Sequence, residues 1–426
     1  MILSIRANNY LVYSNEIELS LRANKKIRRM NANTVNLGKL SILKAVGIYG
    51  ANNAGKTCLI RAIHAIKCVM LSCVADVSAN LFTNNPISSF GIDFTEDDRV
   101  FRYNFKFNSK ASNELPLGFI YEEFAELKID KYGNETWSEV FIRDVGMRKY
   151  KFPAEKAVED LMKSVSSNNI LIYTINTEKF KKLDEIKKRL RTCAENIEIV
   201  DLNNIPIEKT IDLLKDKSSD KSKIVELIKD ADVDVQDYYY KEPNIIRHSI
   251  QPINNVPQEV VLRAQNLATD MFCLMSNHRG KIVPSFIFDS TGTKKIVALA
   301  SYVVEALEKG KTLVVDELDS SLHFKLTRAI VALFNNELNT EAQLIFTLHD
   351  ISLLDCKTLF RKDQIWFASK DKDTAYLYSL DNFTAREGIR ADSSDIAEQY
   401  RKGIFGAIPD PDLINVLLKE KANAKK

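Results

Sequence analysis

Apolar residues change their period several times along the chain, and each change marks an element. The opening stretch, MILSIRANNYLVYSNEIELSL, alternates apolar and polar positions as a strand does. VGIY, starting at Val46, is a short unbroken apolar run, and CLIRAIHAIKCVML follows with helical spacing. GIDF and FRYNFKF read as strands. EIKKRLRTCAENIE and IEKTIDLLKDKSSDKSKIVELIKDADV read as charged helical stretches, with KDKSSDKSK, inside the second, as a solvated turn or linker. TLVV and AQLIFTLHD are apolar runs of the kind buried on both faces of a parallel sheet. Strands and helices in this order predict an α/β fold with an antiparallel, strand-rich beginning.

Between VGIY and the helix that follows lies GANNAGKT, Gly50 to Thr57, which fits G-x-x-x-x-G-K-[ST]. Strand, glycine loop and helix together are the context of a phosphate loop. Glycines let backbone N–H groups converge on phosphate oxygens, and the helix N-terminus adds partial positive charge. Gly50, Ala51, Asn52, Asn53, Ala54, Gly55, Lys56, Thr57 and Cys58 are therefore the candidate nucleotide-binding residues. Lys56 would neutralise the β- and γ-phosphates, and the Thr57 hydroxyl would ligate Mg²⁺, so ATP and Mg²⁺ are the expected ligands. His64, inside the following helix, is expected to be a packed or surface residue.

KTLVVDELDSSLH places two carboxylates, Asp316 and Glu317, side by side at a strand end. Adjacent acids repel each other unless a positive group or a reaction accounts for them. Ligands of open α/β sheets bind at the carboxyl ends of the strands. There Asp316 would hold Mg²⁺ and Glu317 would polarise an attacking water as general base. The bland alternative is a pair of acids favouring a helix N-terminus. His349, at the end of AQLIFTLHD, would sense the γ-phosphate; alone, a strand-end histidine is as readily a capping or core residue. DSTGTKK, with Ser290 and Gly292, forms a second anion-binding turn at a helix start. One chain cannot easily bring two such turns to one γ-phosphate from opposite sides, whereas two chains can.

The order of phosphate loop, Ser-x-Gly signature, Asp-Glu pair and strand-end histidine resembles that of ABC-type ATPases. In that family the signature of one subunit closes on the nucleotide of the other, which implies a homodimer closed by nucleotide, or a higher homo-oligomer built on it. Ser290 and Gly292 match the signature serine and glycine, although STGTK departs from the transporter form. The departure is similar to that of the recombination, SMC and overcoming-lysogenization-defect groups. Asp319 matches the D-loop aspartate that reaches across the dimer. A glutamine loop is not identifiable, and the strands around GIDF and FRYNFKF are expected to occupy its region. GIYGANNAGKT, STGTKK, VVDELDSSLH, DQIWFASKD and YRKGIFGAIP together resemble the free-standing bacterial ATPases of abortive-infection phage-defence pairs, of the Abi-L and PARIS types. The resemblance implies an effector encoded alongside, a Toprim-type or RloB-like nuclease.

These motifs divide the chain into an N-terminal ATPase lobe (1–108), a mixed strand and helical insertion serving as arm or partner-binding region (109–285), and a C-terminal ATPase lobe (286–426). Composition narrows the function further. The 45% hydrophobic and 27% charged content is that of a soluble globular protein, and a net charge of +3 gives no general argument for a nucleic-acid surface. No apolar run reaches the ~18–20 residues of a membrane span, and the N-terminus lacks a signal-peptide core, so a cytoplasmic location is expected. Six scattered cysteines, with no CxxC pair, are expected to be buried free thiols. The run NKKIRRM (Lys25, Lys26, Arg28, Arg29) is read as an exposed hairpin edge, with DNA contact as the sharper alternative. VQDYYYKEP is read as strand residues alternating between faces rather than a base-stacking platform.

Three functions follow from this reading. The first is an ATP-hydrolysing sensor or scaffold that controls a separate effector in anti-phage abortive infection. The second is a short-armed, DNA-binding ATPase of the recombination and SMC kind; the stretch from Thr57 to Ser290 has no sustained heptad pattern for long arms. The third, a self-contained nuclease, lacks a glutamate and D-x-D on an α/β unit of their own, since DPDL near Asp410 sits in a tail.

Overall fold

A computed structural model describes residues 1–215, 220–231, 235–242, 258–371, 374–384, 389 and 395–407. Its central sheet has six strands, in the order Ile197–Asp201, Thr312–Asp316, Gln343–Leu348, Ala45–Tyr49, Ile365–Asp371 and Thr374–Ser379. The first five run parallel and the last is antiparallel to its neighbour. Thr312–Asp316, Gln343–Leu348 and Ala45–Tyr49 are buried at every position, as their unbroken apolar runs predict. Successive side chains point to opposite faces. Val46, Ile48, Val314 and Ile345 enter one core, and Ala45, Tyr49, Leu313, Val315, Leu344 and Phe346 enter the other.

The first core lies between the central sheet and a seven-stranded antiparallel sheet, ordered Lys149–Lys151, Glu135–Asp144, Gly118–Ile129, Arg99–Asn108, Ile87–Glu96, Ile2–Asn8 and Ile17–Ser20. Helices Lys56–Met70 and Lys181–Glu195 contribute to the same core. The alternation of FRYNFKF appears directly: Phe101, Tyr103 and Phe105 are buried while Arg102 and Lys106 turn outward. Outside, Arg6 and Arg102 both grip the Asp93 carboxylate, at 2.7 and 2.8 Å. Gln343 stitches the sheets together: its side chain accepts from Ile2 N–H and donates to the carbonyls of Ile2 and Leu43.

The second core holds helices Thr291–Lys309 and Phe324–Asn335. Against the former pack Glu208–Lys215 and Asp220–Asp230, the two halves of the second charged stretch expected from sequence. Of the expected turn between them, residues 216–219 lie outside the described residues, and 220–223 are already helical. A three-stranded antiparallel sheet, Asp237–Tyr240, Leu274–His278 and Lys281–Pro284, completes this region. The tyrosines of VQDYYYKEP are strand residues, with Tyr238 buried and its hydroxyl on Asp289.

Two sequence expectations are corrected. NKKIRRM is a loop between Ile17–Ser20 and the short turn Asn31–Asn33, not a hairpin edge. The buried Arg361 guanidinium donates to the carbonyls of Asn24, Ile27 and Arg29 and so takes the place of a strand partner. The cysteines are all free, but only Cys273 and Cys356 are buried; Cys73 is exposed. Among the described residues no helix is long and apolar enough to cross a membrane.

Candidate nucleotide site

The phosphate loop leaves the end of strand Ala45–Tyr49 and enters helix Lys56–Met70. Its conformation requires small residues at two points. Gly55 has φ +104°, a value L side chains rarely adopt, and a Cβ on Gly50 would stand 2.2 Å from the carbonyl oxygen of Ala368. Two contacts brace the loop: Tyr13 OH donates to Gly55 O at 2.8 Å, and Ala51 N–H donates to Ala407 O at 3.1 Å. The helix begins with no side-chain cap, so the first-turn amides are left facing the loop. Asn52, Asn53 and Thr57 are exposed there, Ala51 and Cys58 are half-buried, and Ala54 is buried.

Lys56 is buried, its ammonium held by Gly50 O at 2.7 Å and Ala51 O at 3.1 Å, with His349 Nδ1 at 3.3 Å. Burial brings its pKa down to about 8, against the opposing pull of Asp316, Asp319 and Glu317. These side chains and His349 reach one place because the phosphate-loop, histidine and acidic-pair strands are consecutive in the parallel sheet. Thr347, between them, organises the acids. Its hydroxyl donates to Asp316 Oδ1 at 2.5 Å and accepts from Glu317 N–H at 2.8 Å. Glu317 leaves the strand in the left-handed region, φ 55°, which turns its carboxylate toward His349 Nε2, 3.5 Å away. Asp319 accepts from the N–H groups of His349 and Asp350 at 2.8 and 2.5 Å, tying the D-loop turn to the histidine strand.

Ser290 caps helix Thr291–Lys309, its hydroxyl accepting from Thr293 N–H. A Cβ on Gly292 would meet Ser321 O at 2.7 Å, so glycine here allows the signature to lie against the D-loop turn. Within one chain, then, the contacts of Ser290 and Gly292 run to Thr293 and Ser321. Asp289, next to the signature, is buried under four side-chain donors: Tyr238 OH (2.5 Å), Ser285 Oγ (2.6 Å), Ser276 Oγ (2.9 Å) and His278 Nε2 (2.9 Å). Three of the four donors come from the small sheet of the central region. Sequence reasoning missed Thr347, Tyr13, Asp289 and also Asn203, whose amide donates to Glu317 Oε2 at 2.6 Å. No local pattern marks any of them; Asp289 alone had a cue, its place beside the signature.

The strands GIDF and FRYNFKF, expected in the glutamine-loop region, lie in the antiparallel sheet. The strand end beside Asp316 is that of Ile197–Asp201, with Asp201 in register with Asp316.

The donors fit a nucleoside triphosphate with a divalent cation. Uncapped helix amides and a caged ammonium face the loop, and Asp316 keeps an oxygen beyond its bond to Thr347. Among the described residues no group of three His, Cys, Asp or Glu side chains could hold a metal alone. Mg²⁺ shared with phosphates needs only one or two carboxylates.

Many solved structures are distantly similar, SMC heads among them. The SMC head domain from Thermotoga maritima has 11% identity and a TM-score of 0.42, over 89% of this chain and 98% of that one. An SMC head bound to the C-winged helix domain of ScpA has 12% identity and a TM-score of 0.40, over 91% and 99%. An SMC head with an extended coiled coil, bound to the C-terminal domain of ScpA derived from Pyrococcus furiosus, has 12% identity and a TM-score of 0.35, over 94% and 99%. No curated protein matches the sequence. The family described as "AAA domain, putative AbiEii toxin, Type IV TA system" matches residues 45–355, a span that contains the phosphate loop, the signature, the acidic pair and the histidine. The fold is α/β with a phosphate loop at the end of a central parallel strand, and the chain belongs to this AAA-domain family.

Proposed function

We propose that this protein hydrolyses ATP at a site shared between two copies, and uses the resulting opening and closing to control a separate effector, a nuclease, in anti-phage abortive infection. The observation that carries the proposal is the convergence of Lys56, Asp316, Glu317, Asp319 and His349 at the ends of three adjacent parallel strands. In this reading Lys56 turns from the Gly50 and Ala51 carbonyls to the β- and γ-phosphates. Thr57 and Asp316 hold Mg²⁺, which when bound neutralises charge on the phosphate oxygens. Glu317 takes a proton from the attacking water, and His349 contacts the γ-phosphate. Ser290 and Gly292 serve the nucleotide of the partner copy, and Asp319 lies at the same interface.

The cluster around Asp289 supports the control role. Any ligand that shifts the small sheet pulls directly on the residue preceding the signature. The family's description as part of a toxin–antitoxin system agrees with a protein acting beside a partner gene. Glu317→Gln is the test. It should keep nucleotide affinity while turnover falls by orders of magnitude, and phage protection should need both the neighbouring gene and Glu317. Near-wild-type hydrolysis by Glu317→Gln, or full protection by this chain alone, would count against the proposal.

One observation favours a second reading, a short-armed DNA-binding ATPase. Lys25, Lys26, Arg28 and Arg29 are exposed on the loop that Arg361 braces, and none of the four has a salt bridge among the described residues. A preformed loop of unpaired cations suits a phosphate backbone. Replacing all four by alanine should flatten the salt dependence of duplex binding by about four phosphate contacts; an unchanged slope excludes this loop as the DNA contact.

A further inference from the structure

We propose that Asn203 is a positioning residue for hydrolysis, orienting the Glu317 carboxylate and tying it to the signature helix. This rests on the reading of Glu317 as the base. Asn203 lies in the turn Leu202–Asn204, directly after the strand whose Asp201 pairs with Asp316. Asp201 fixes the turn by accepting from Asn203 N–H at 2.9 Å and from the Asn204 amide at 3.0 Å. From there the Asn203 side chain spans three motifs. Nδ2 donates to Glu317 Oε2 at 2.6 Å, and Oδ1 accepts from Ser320 Oγ at 2.7 Å and from Lys295 Nζ at 3.3 Å. Lys295 Nζ also donates to Ser320 Oγ at 2.9 Å.

The chemistry of the partners allows one orientation of the amide. A carboxylate only accepts and an ammonium only donates, so the NH₂ must face Glu317 and the oxygen Lys295. Glu317 needs such a guide. Its backbone is held by Thr347, but its side chain is one-third exposed, and the other nearby group, His349 Nε2, is 3.5 Å away. Because Lys295 belongs to the helix that Ser290 caps, movement of the signature helix is transmitted through the Asn203 amide to the base. Aligned and displaced positions of Glu317 are thereby linked to the position of the signature.

The test is steady-state kinetics of full-length Asn203→Ala and Asn203→Asp, beside Glu317→Gln. Asn203→Ala should lower kcat on the order of tenfold to a hundredfold, the loss expected for one donor to a charged group. KM and nucleotide affinity should stay within about twofold, since no phosphate contact is removed. Asn203→Asp should lower kcat at least as far with nucleotide affinity again unchanged, since its carboxylate repels Glu317 instead of donating to it. A merely structural role would weaken nucleotide binding and lower Tm along with kcat. In a double-mutant cycle, Lys295→Met should cost much less in the Asn203→Ala background than in the wild type. If Glu317→Gln is inactive but Asn203→Ala has wild-type kcat, the inference is overturned and the base stands. If Glu317→Gln remains active, the base assignment falls, and the role of Asn203 with it.

Discussion

At the scale of single residues, the site is organised around one displaced cation. Lys56 sits in a cage of carbonyls, with a pKa lowered to about 8 by burial. A bound triphosphate would favour the ammonium and raise that pKa again. The direction of proton flow follows. Below the free-site pKa the lysine is already charged and binding needs no proton; above it, binding must take one up. Titration calorimetry in buffers of different ionisation enthalpy should show little uptake at about pH 7 and close to one proton per nucleotide at about pH 9. Lys56→Arg, whose charge does not titrate in this range, should abolish the uptake whatever its affinity. Equal uptake by both proteins would remove Lys56 from this role. GANNAGKT showed that a lysine belonged here, but its cage could not be read, because Gly50 and Ala51 become acceptors only once the loop closes on itself.

At the scale of elements, polar side chains at sheet junctions do what apolar patterning cannot. Glu122 and Arg143 are completely buried between two antiparallel strands, with the guanidinium 3.1 Å from Glu122 Oε1 and donating to the carbonyls of Phe119 and Val165. The same carboxylate accepts from Leu171 N–H, so it anchors the segment that leads to helix Lys181–Glu195. Removing one partner leaves an uncompensated buried charge. Arg143→Ala is therefore expected to cost about 3–5 kcal/mol of stability by denaturant unfolding, whereas the double replacement by apolar residues should cost less. A loss below about 1 kcal/mol would mean the pair is more hydrated than its burial implies. Strand existence was legible in FRYNFKF and TLVV because periodicity is local. The basic loop was not: its shape depends on Arg361, more than three hundred residues away in the chain.

At the scale of the whole molecule, the signature and the phosphate loop of one chain contact different neighbours. Ser290 and Gly292 touch Thr293 and Ser321, while Lys56 lies with the acidic pair. The proposed shared site would account for this, and it can be tested by mixing dead parents. Lys56→Ala combined with Ser290→Arg should restore one complete site in each heterodimer, about one quarter of wild-type sites for random pairing. Ser290→Arg is preferable to a change at Gly292, where any Cβ would push on Ser321 O. Heterodimers that form and hydrolyse nothing would exclude the shared site.

The sequence by itself determined those features whose physical cause lies within a few residues. Gly55 must accept a left-handed φ, the unbroken runs VGIY, TLVV and LIFTL must be buried on both faces, and adjacent Asp316 and Glu317 need a nearby positive charge. Fold class and the nucleotide loop follow from such local causes. Only the tertiary structure decided which strand stands beside the acidic pair, because the choice of neighbours depends on packing two cores at once. Ile197–Asp201 took that place, and so brought Asn203 to Glu317 across more than a hundred residues of chain. It also gathered Tyr238, Ser276, His278 and Ser285 around Asp289, since a buried carboxylate must find its donors wherever the fold supplies them.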